Sequence, residues 1–180
     1  MSHLDEVRAA IAGIREVTGL PIAATLSFDT NGRTMMGVTA AEAITALRQY
    51  DLAAVGANCG SNLPDTMAAV GAMHQADPAM PLIAKANAGI PRWGSAGQLV
   101  YDGTPEVMAG YAYHVRQMGA KLIGACCGSS PETIAAMRAA LNGAIPAEQL
   151  ERPLSPTSDN TQANTQERPQ RRRQRRRKNG

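Results

Sequence analysis

The chain has 180 residues, of which 44% are hydrophobic but only 3% aromatic, so a core must be built from Ala, Val, Leu, Ile and Met. This length suits about one domain. No run of about 18 apolar residues is present, which excludes a membrane-spanning helix. The first residues lack the charged-then-apolar order of a secretory leader. Three cysteines, an odd number, argue against a secreted disulfide framework. We therefore expect a cytoplasmic protein.

The net charge of +3 averages two unlike parts of the chain. Residues 168–178 carry seven arginines and one lysine, whereas residues 1–166 carry ten basic and fourteen acidic side chains. Hydrophobic periodicity disappears from residue 146, and residues 153–170 are rich in Pro, Ser, Thr, Asn and Gln. Such a composition cannot bury enough apolar surface to fold. We predict a folded domain over residues 1–145 and a disordered linker with an Arg-rich tail over residues 146–180.

The first part of the chain begins with a helix. Apolar residues recur at helical spacing over residues 4–17, and Ser2 followed by Asp5 predicts an N-terminal capping box. A strand beginning near residue 21 follows. A polar loop then leads to a second helix, for which Thr39 and Glu42 predict the same capping arrangement.

The remaining segments alternate between strands and helices. Short apolar runs predict further strands beginning near residues 52, 81 and 121. Caps, prolines and helical spacing predict helices over residues 64–75, 104–119 and 131–141, and residues 90–103 form a long loop.

This order gives four strand–helix units. Strands that are continuous apolar runs joined by helices pair in parallel. Open doubly wound sheets and (β/α)8 barrels share this order, and both carry their chemistry at the carboxyl ends of the strands. A barrel needs eight strands and about 250 residues. Four strands in 145 residues therefore predict an α/β fold equivalent to half of a barrel.

All three cysteines follow predicted strands. Cys59 ends the apolar run over residues 52–58, and Cys126 and Cys127 end the run over residues 121–125. Ser130 and Pro131 then begin a helix, whose positive N-terminal end favours thiolates. Three thiolates leave one open position on a tetrahedral ion, as in catalytic zinc sites. The alternative is that the cysteines are inert and buried.

Three motifs resemble the zinc-dependent homocysteine S-methyltransferase family, over residues 2–142: Gly56-Ala57-Asn58-Cys59, Lys85-Ala86-Asn87-Ala88-Gly89-Ile90-Pro91 and Gly124-Ala125-Cys126-Cys127-Gly128-Ser129-Ser130-Pro131. The resemblance implies a (β/α)8 TIM barrel, of which this chain matches only the last four βα units. It implies Zn2+ bound by Cys59, Cys126 and Cys127, and methyl transfer to homocysteine from a small donor, for which we expect betaine.

The resemblance also suggests roles for residues near the cysteines. Asn58 and Asn87 would orient the substrate or the ligands, with capping of strand ends as an equal alternative. Phe28 and Asp29 would line the pocket, although core packing and an ordinary turn explain them at least as well. Two positions differ from the family pattern: Ala86 replaces the usual proline, and Ala125 replaces what is often a second glycine. Both positions lie away from the metal ligands. Because the first half of the barrel is missing, Met1 is expected to be an internal methionine.

Two other functions remain open. The chain could be a non-catalytic zinc-binding fragment or subunit, completed by a homo-oligomer or a complementing barrel half. More weakly, the arginines at 171–173 and 175–177 could bind nucleic acid, since clustered cations suffice to neutralise phosphates. That tail has no aromatic residue for base stacking, so a solvated tail is the preferred interpretation.

Overall fold

The computed structural model describes residues 1–29 and 31–153; the basic tail, and any nucleic-acid role for it, lie outside the described residues. The predicted alternation of helices and strands is confirmed. The helices are Leu4–Val17 (α1), Ala40–Leu47 (α2), Leu63–Ala76 (α3), Pro105–Gln117 (α4) and Pro131–Leu141 (α5). The strands are Ala23–Leu26 (β1), Ala54–Cys59 (β2), Leu82–Ala86 (β3), Arg92–Trp93 (β4), Leu99–Val100 (β5) and Ala120–Ala125 (β6), with 3-10 turns at Arg48–Tyr50 and Ala147–Gln149.

Four strands form one sheet in the order β1-β2-β3-β6, and every neighbouring pair is parallel. The predicted α/β fold with a parallel sheet is thereby confirmed. Because all four strands run in one direction, their carboxyl ends lie along one edge of the sheet. None of the helices in the described part of the chain is long and apolar enough to cross a membrane.

Alternate residues of these strands form the hydrophobic core with the helices. Leu26, Ala57 and Ala84 are almost fully buried and pack with helix residues in one cluster: Ile44, Met67, Val70, Met73, Met108 and Tyr111. As the composition predicts, aliphatic and methionine side chains dominate. The hydroxyl of Tyr111 accepts a hydrogen bond of 3.2 Å from the amide of Ala86, and burial raises the pKa of this phenol.

The other face of the sheet carries two rows of residues in register. The lower row is Thr25, Gly56, Ile83 and Leu122, and the upper row is Asn58, Lys85 and Gly124. Ser27, which follows the last residue of β1, bonds Asn58 through its side chain. Leu122 is 49% exposed, and Lys85 is exposed as well. This face is therefore open at Lys85 and Leu122, whereas Ile83 beside them is 7% exposed.

The edge of β1 is bordered by the main chain of Met1. The amide of Ser27 donates to the carbonyl of Met1 at 2.9 Å, and the Met1 amino group donates to the carbonyl of Thr25 at 3.4 Å. In a parallel ladder, one residue makes main-chain hydrogen bonds to the two residues on either side of its partner. Met1 thus lies beside Leu26 as a residue of a neighbouring parallel strand would.

Three predicted helix starts, at Thr39, Thr104 and Ser130, have the expected caps, and one does not. Thr39 and Glu42 form a capping box, and hydrogen bonds from the Thr39 side chain and main chain hold the pKa of Glu42 below its usual range. Ser130 caps α5. The prediction for α1 is wrong, because His3 is the N-cap and its Nδ1 accepts from the amide of Asp5 at 3.2 Å. The Nδ1 atom of His3 thereby satisfies the amide of Asp5, which has no partner within the helix.

Two segments contain more structure than the sequence predicts. The loop over residues 90–103 contains the antiparallel pair β4–β5, which leaves Trp93 78% exposed. The chain also stays folded past residue 145, where disorder was predicted to begin. Leu150 is 6% exposed and packs with Ala109 and Ala140, while its carbonyl bonds His114 Nε2 at 3.0 Å. Leu150 is a single buried apolar residue without apolar neighbours at regular spacing, so hydrophobic periodicity does not predict its burial.

Candidate metal centre

The three cysteines meet at the carboxyl edge of the sheet. Cys59 is the last residue of β2, and Cys126 and Cys127 follow β6, with β3 lying between these two strands. The Sγ atoms of Cys59 and Cys126 are 3.1 Å apart, and all three sulfurs lie within 4.8 Å of one another. Cys59 and Cys126 are half-buried, and Cys127 is exposed.

The backbone of Cys59 is left-handed, with φ 56°, and that of Gly60 follows at φ 80°. This conformation interrupts the alternation of strand residues, by which Cys59 would otherwise share the helix-covered side with Ala57. A non-glycine residue held at positive φ costs on the order of 1–3 kcal/mol. The Thr66 hydroxyl supports the turn, since it donates to the carbonyl of Cys59 at 3.2 Å. Such local strain is characteristic of functional sites.

Asn87, at the end of β3, joins the two cysteine loops through its side chain. Its Nδ2 donates to the carbonyl of Gly60 at 2.9 Å, and its Oδ1 accepts from the amide of Cys127 at 3.1 Å. The main chain reinforces this, because the Asn87 amide bonds the carbonyl of Cys59 at 3.3 Å and the Ala88 amide bonds that of Cys127 at 2.9 Å. Asn87 therefore positions both cysteine loops.

The other predicted site residues are placed differently. Asn58 Nδ2 bonds Ser27 Oγ at 3.5 Å, while its Oδ1 is buried without a hydrogen-bond partner among the described residues. Asp29 is half-buried, and its carbonyl accepts from Ser61 Oγ at 3.0 Å, close to the Cys59 turn. Phe28 is 1% exposed and belongs to the hydrophobic core. This placement agrees with core packing, which the sequence analysis gave as the alternative to a role in the pocket.

The thiols of Cys59 and Cys126 have opposite pKa shifts. Burial, together with the hydrogen bond to Cys126 and its charge, raises the pKa of Cys59 to about 11. Burial also acts against ionisation of Cys126. Hydrogen bonds to the Cys126 sulfur from Cys59 and from the main chain of Cys127 outweigh burial, so the pKa of Cys126 is lowered. Without a metal, the pair therefore holds one proton and one negative charge at any pH between the two pKa values.

The cluster fits a tetrahedral metal ion. Zinc–sulfur bonds of about 2.3 Å separate the sulfurs in a tetrahedral site by about 3.8 Å. The observed separations, from 3.1 Å up to at most 4.8 Å, bracket this value. The three histidines lie elsewhere: His3 caps α1, His74 lies against Gly119, and His114 bonds Leu150. Among the described residues the cluster thus offers three ligands and leaves one position open.

Sequence comparison gives these residues a family. The family model for homocysteine S-methyltransferases matches residues 1–141 of the 180. The chain belongs to the homocysteine S-methyltransferase family. The three cysteines and Asn87 all lie inside the matched region.

Relatives within this family are much longer than the chain. The methionine synthase of Mycobacterium tuberculosis is 27% identical over 144 residues, which is 76% of this chain but 12% of that enzyme. The methionine synthase of Mycobacterium leprae is 26% identical over 153 residues, again 12% of its length.

Solved homocysteine S-methyltransferases share the fold. The apo form of the homocysteine methyltransferase MmuM from Escherichia coli has a TM-score of 0.61 and 22% identity, covering 78% of this chain and 46% of that one. Its metallated form has a TM-score of 0.61 and 23% identity, covering 77% and 42%. The chain therefore spans less than half of these MmuM structures.

Lys85, to which the sequence analysis gave no role, lies beside Asn58 and Gly124 in the register of the sheet. The available signal was a charge at the fifth position of an otherwise apolar run, Pro81-Leu82-Ile83-Ala84-Lys85.

A cavity of about 770 Å³ lies beside the loops that follow Cys59 and Asn87, lined by Ser61, Pro64, Ala88, Gly103 and Val107 among others. Its lining does not include the cysteines, which lie on the carboxyl edge itself.

Proposed function

We propose that this chain carries the zinc-binding part of a homocysteine S-methyltransferase that methylates homocysteine to methionine. One observation carries the proposal: three sulfurs from two separate strand ends lie within 4.8 Å in a member of this family. Cys59, Cys126 and Cys127 would hold the ion. Zinc bound there would deprotonate the thiol of the substrate, whose pKa is about 8.5 when free, and keep it nucleophilic at neutral pH.

The residues of this chain have two tasks in that reaction. Their three thiolates provide an electron-rich ligand set with one open position for the substrate sulfur. Asn87 keeps the two cysteine loops at a fixed separation, so the open position keeps its geometry. In the transfer, a new bond joins the homocysteine sulfur to the methyl carbon. The bond from that carbon to the donor atom breaks, and its electron pair leaves with the donor, while the thiol proton passes to solvent.

For the methyl donor we propose betaine, on the resemblance of residues 2–142 to betaine-dependent members of the family. Its quaternary nitrogen carries transferable methyl groups and leaves as a neutral tertiary amine. Comparison of betaine with S-methylmethionine and methylcobalamin, under otherwise identical conditions, tests this choice.

We further propose that residues 1–145 form half of an eight-stranded barrel, completed by a complementing half. Three observations support this: the open face of the sheet, the ladder position of Met1 beside β1, and the 46% coverage of the MmuM structure. A specific alternative is that the chain binds zinc without catalysis, because a four-stranded sheet provides only half of the strand ends that would surround the active site of an eight-stranded barrel.

The test combines zinc content and methyl transfer. Elemental analysis of the purified 180-residue chain should give about one zinc per chain, and Cys126→Ser should give little. Methionine formed from homocysteine and each donor is then measured by mass spectrometry. Zinc without methionine would favour the non-catalytic alternative, whereas a chain that binds no zinc would overturn the proposal.

A further inference from the structure

The turn after β6 carries two of the three cysteines. Successive residues of an extended chain point to opposite sides, so Cys126 and Cys127 can face one ion only because the chain leaves the strand conformation here. Cys127 and Gly128 are both exposed, and the backbone of Gly128 is left-handed, with φ 81°. Glycine has the greatest backbone freedom of all residues. The position of the Cys127 sulfur therefore depends on what restrains Gly128.

The ring of Tyr101, which follows β5 directly, lies against Gly128. A Cβ added to Gly128 would lie 2.4 Å from Cδ1 of Tyr101 and 2.6 Å from its Cγ and Cε1. The ring thus occupies the space that a side chain at position 128 would need. These nearest atoms are ring carbons, so the contact is made by the ring and not by the hydroxyl. Tyr101 is half-buried, although the neighbouring residues of β5 are exposed.

The main chain around Tyr101 is attached to the residue that also holds Cys127. The amide of Gly103 donates to the carbonyl of Ala88 at 2.7 Å, and the amide of Ala88 donates to the carbonyl of Cys127 at 2.9 Å. A Cβ on Gly103 would lie 2.6 Å from Cα of Ala88, so the two segments are in direct contact. The segment over residues 101–103 is therefore joined to the cysteine turn twice, through Ala88 and through the ring of Tyr101.

We propose that Tyr101 is a positioning residue for the metal centre, whose ring holds the turn at Cys127 and Gly128 in the conformation that brings Cys127 to the ion. The inference rests on the proposed function, in which Cys127 is a zinc ligand. Asn87 and Ala88 hold this turn from the side of β3 by hydrogen bonds, and Tyr101 holds it from the β4–β5 loop by packing. Removal of the ring releases Gly128, and Cys127, the exposed ligand, is then the sulfur that leaves the ion.

The first test measures the zinc affinity of the 180-residue chain by competition with a chromophoric chelator. Tyr101→Ala should bind zinc about 10-fold more weakly, at the lower end of the effect of losing a group that orients metal ligands. Tyr101→Phe keeps the ring and should bind zinc as the natural chain does. Trp93→Ala is the matched control, because it removes an aromatic ring from the same loop at a position that is 78% exposed.

The second test identifies the ligand that is lost. Cobalt takes the place of zinc, and its thiolate-to-metal charge-transfer absorbance increases with the number of bound thiolates. At saturating cobalt, Tyr101→Ala should absorb less than the natural chain, as Cys127→Ser does, whereas Trp93→Ala should absorb equally. A residue that only stabilised the fold would leave the spectrum of the saturated chain unchanged.

A double-mutant cycle tests the contact itself. Gly128→Ala should weaken zinc binding, because its Cβ meets the Tyr101 ring and because alanine is strained at positive φ. In the Tyr101→Ala background the clash is removed and only the strain remains, so the same substitution should cost less affinity there. Equal costs in both backgrounds would show that the ring does not act through Gly128 and would overturn the proposal.

Two further results would overturn the proposal. One is that Tyr101→Ala binds zinc as tightly as Trp93→Ala does, and the other is that Tyr101→Phe loses as much affinity as Tyr101→Ala. Thermal unfolding of the metal-free variants checks that they are folded, and Tyr101→Leu, which has no ring, replaces Tyr101→Ala if that variant does not fold. These results leave the proposed function in place. Absence of zinc from the natural chain would instead overturn the proposed function, and this inference with it.

Discussion

The side-chain oxygen of Asn87 accepts a hydrogen bond from the amide of Cys127, 40 positions further along the chain. Its nitrogen donates to the carbonyl of Gly60, next to Cys59. One amide therefore determines the distance between two loops that belong to strands on either side of β3. The cysteine cluster depends on this residue although Asn87 offers no sulfur.

Removal of this amide should weaken metal binding. We expect Asn87→Ala to reduce zinc affinity about 10- to 100-fold, the usual effect of losing a group that orients metal ligands. Competition with a chromophoric chelator measures the affinity. Asn142→Ala, at an exposed position after α5, is the control and should bind zinc as the natural chain does. Equal affinities for both variants would show that Asn87 has no part in positioning the cysteines.

The left-handed backbone of Cys59 makes a prediction about stability. In the metal-free chain, Cys59→Gly should be more stable than Cys59→Ala by about 1 kcal/mol, because glycine adopts positive φ without the steric cost that a Cβ imposes. Neither variant should bind zinc with the affinity of the natural chain. Urea unfolding in the presence of a chelator gives the stabilities. A Cys59→Ala variant as stable as Cys59→Gly would mean that the turn is not strained.

The metal-free chain should titrate its paired thiols in two separate steps. Cys126, whose pKa is lowered, loses its proton first, and Cys59 retains its proton until the pH approaches about 11. The raised pKa of Cys59 stabilises the fold below the ordinary thiol pKa, and this contribution is lost as the pH rises through about 11. The lowered pKa of Cys126 acts in the opposite sense, so its contribution is lost as the pH falls.

Thiolate absorbance at 240 nm follows both steps. Cys126→Ser removes the charge beside Cys59 and should bring the remaining high-pH step down toward the ordinary thiol range. A high-pH step that does not move in this variant would contradict the pairing of the two sulfurs.

Two glycines should respond to alanine in opposite directions. A Cβ on Gly56 would lie 2.0 Å from the carbonyl oxygen of Ile83 on the neighbouring strand, so Gly56→Ala should cost about 3 kcal/mol or more. Gly13 lies within α1 with nothing inside 4 Å of its Cβ position, so Gly13→Ala should add about 0.5–1 kcal/mol of stability. Urea unfolding compares the two. Similar stabilities would show that β2 and β3 can separate without cost.

Several features of this protein are determined locally, and the sequence alone predicts them. Apolar runs of strand length alternate with segments of helical spacing, which is sufficient to predict a parallel α/β sheet. The caps at Thr39 and Ser130 depend on residues three positions apart, so they too can be read from the chain. The cysteines are predicted to approach one another because the ends of parallel strands share one edge.

Other features depend on contacts between distant residues, and only the tertiary structure decides them. The burial of Phe28 in the core depends on neighbours that come from elsewhere in the chain. The bridge made by Asn87, the left-handed turn at Cys59 and the burial of Leu150 likewise require partners that no local pattern identifies. Lys85 is visible in the sequence as a charge in an apolar strand. Its position below the cysteines follows only from the register of β2, β3 and β6, which sequence spacing does not fix.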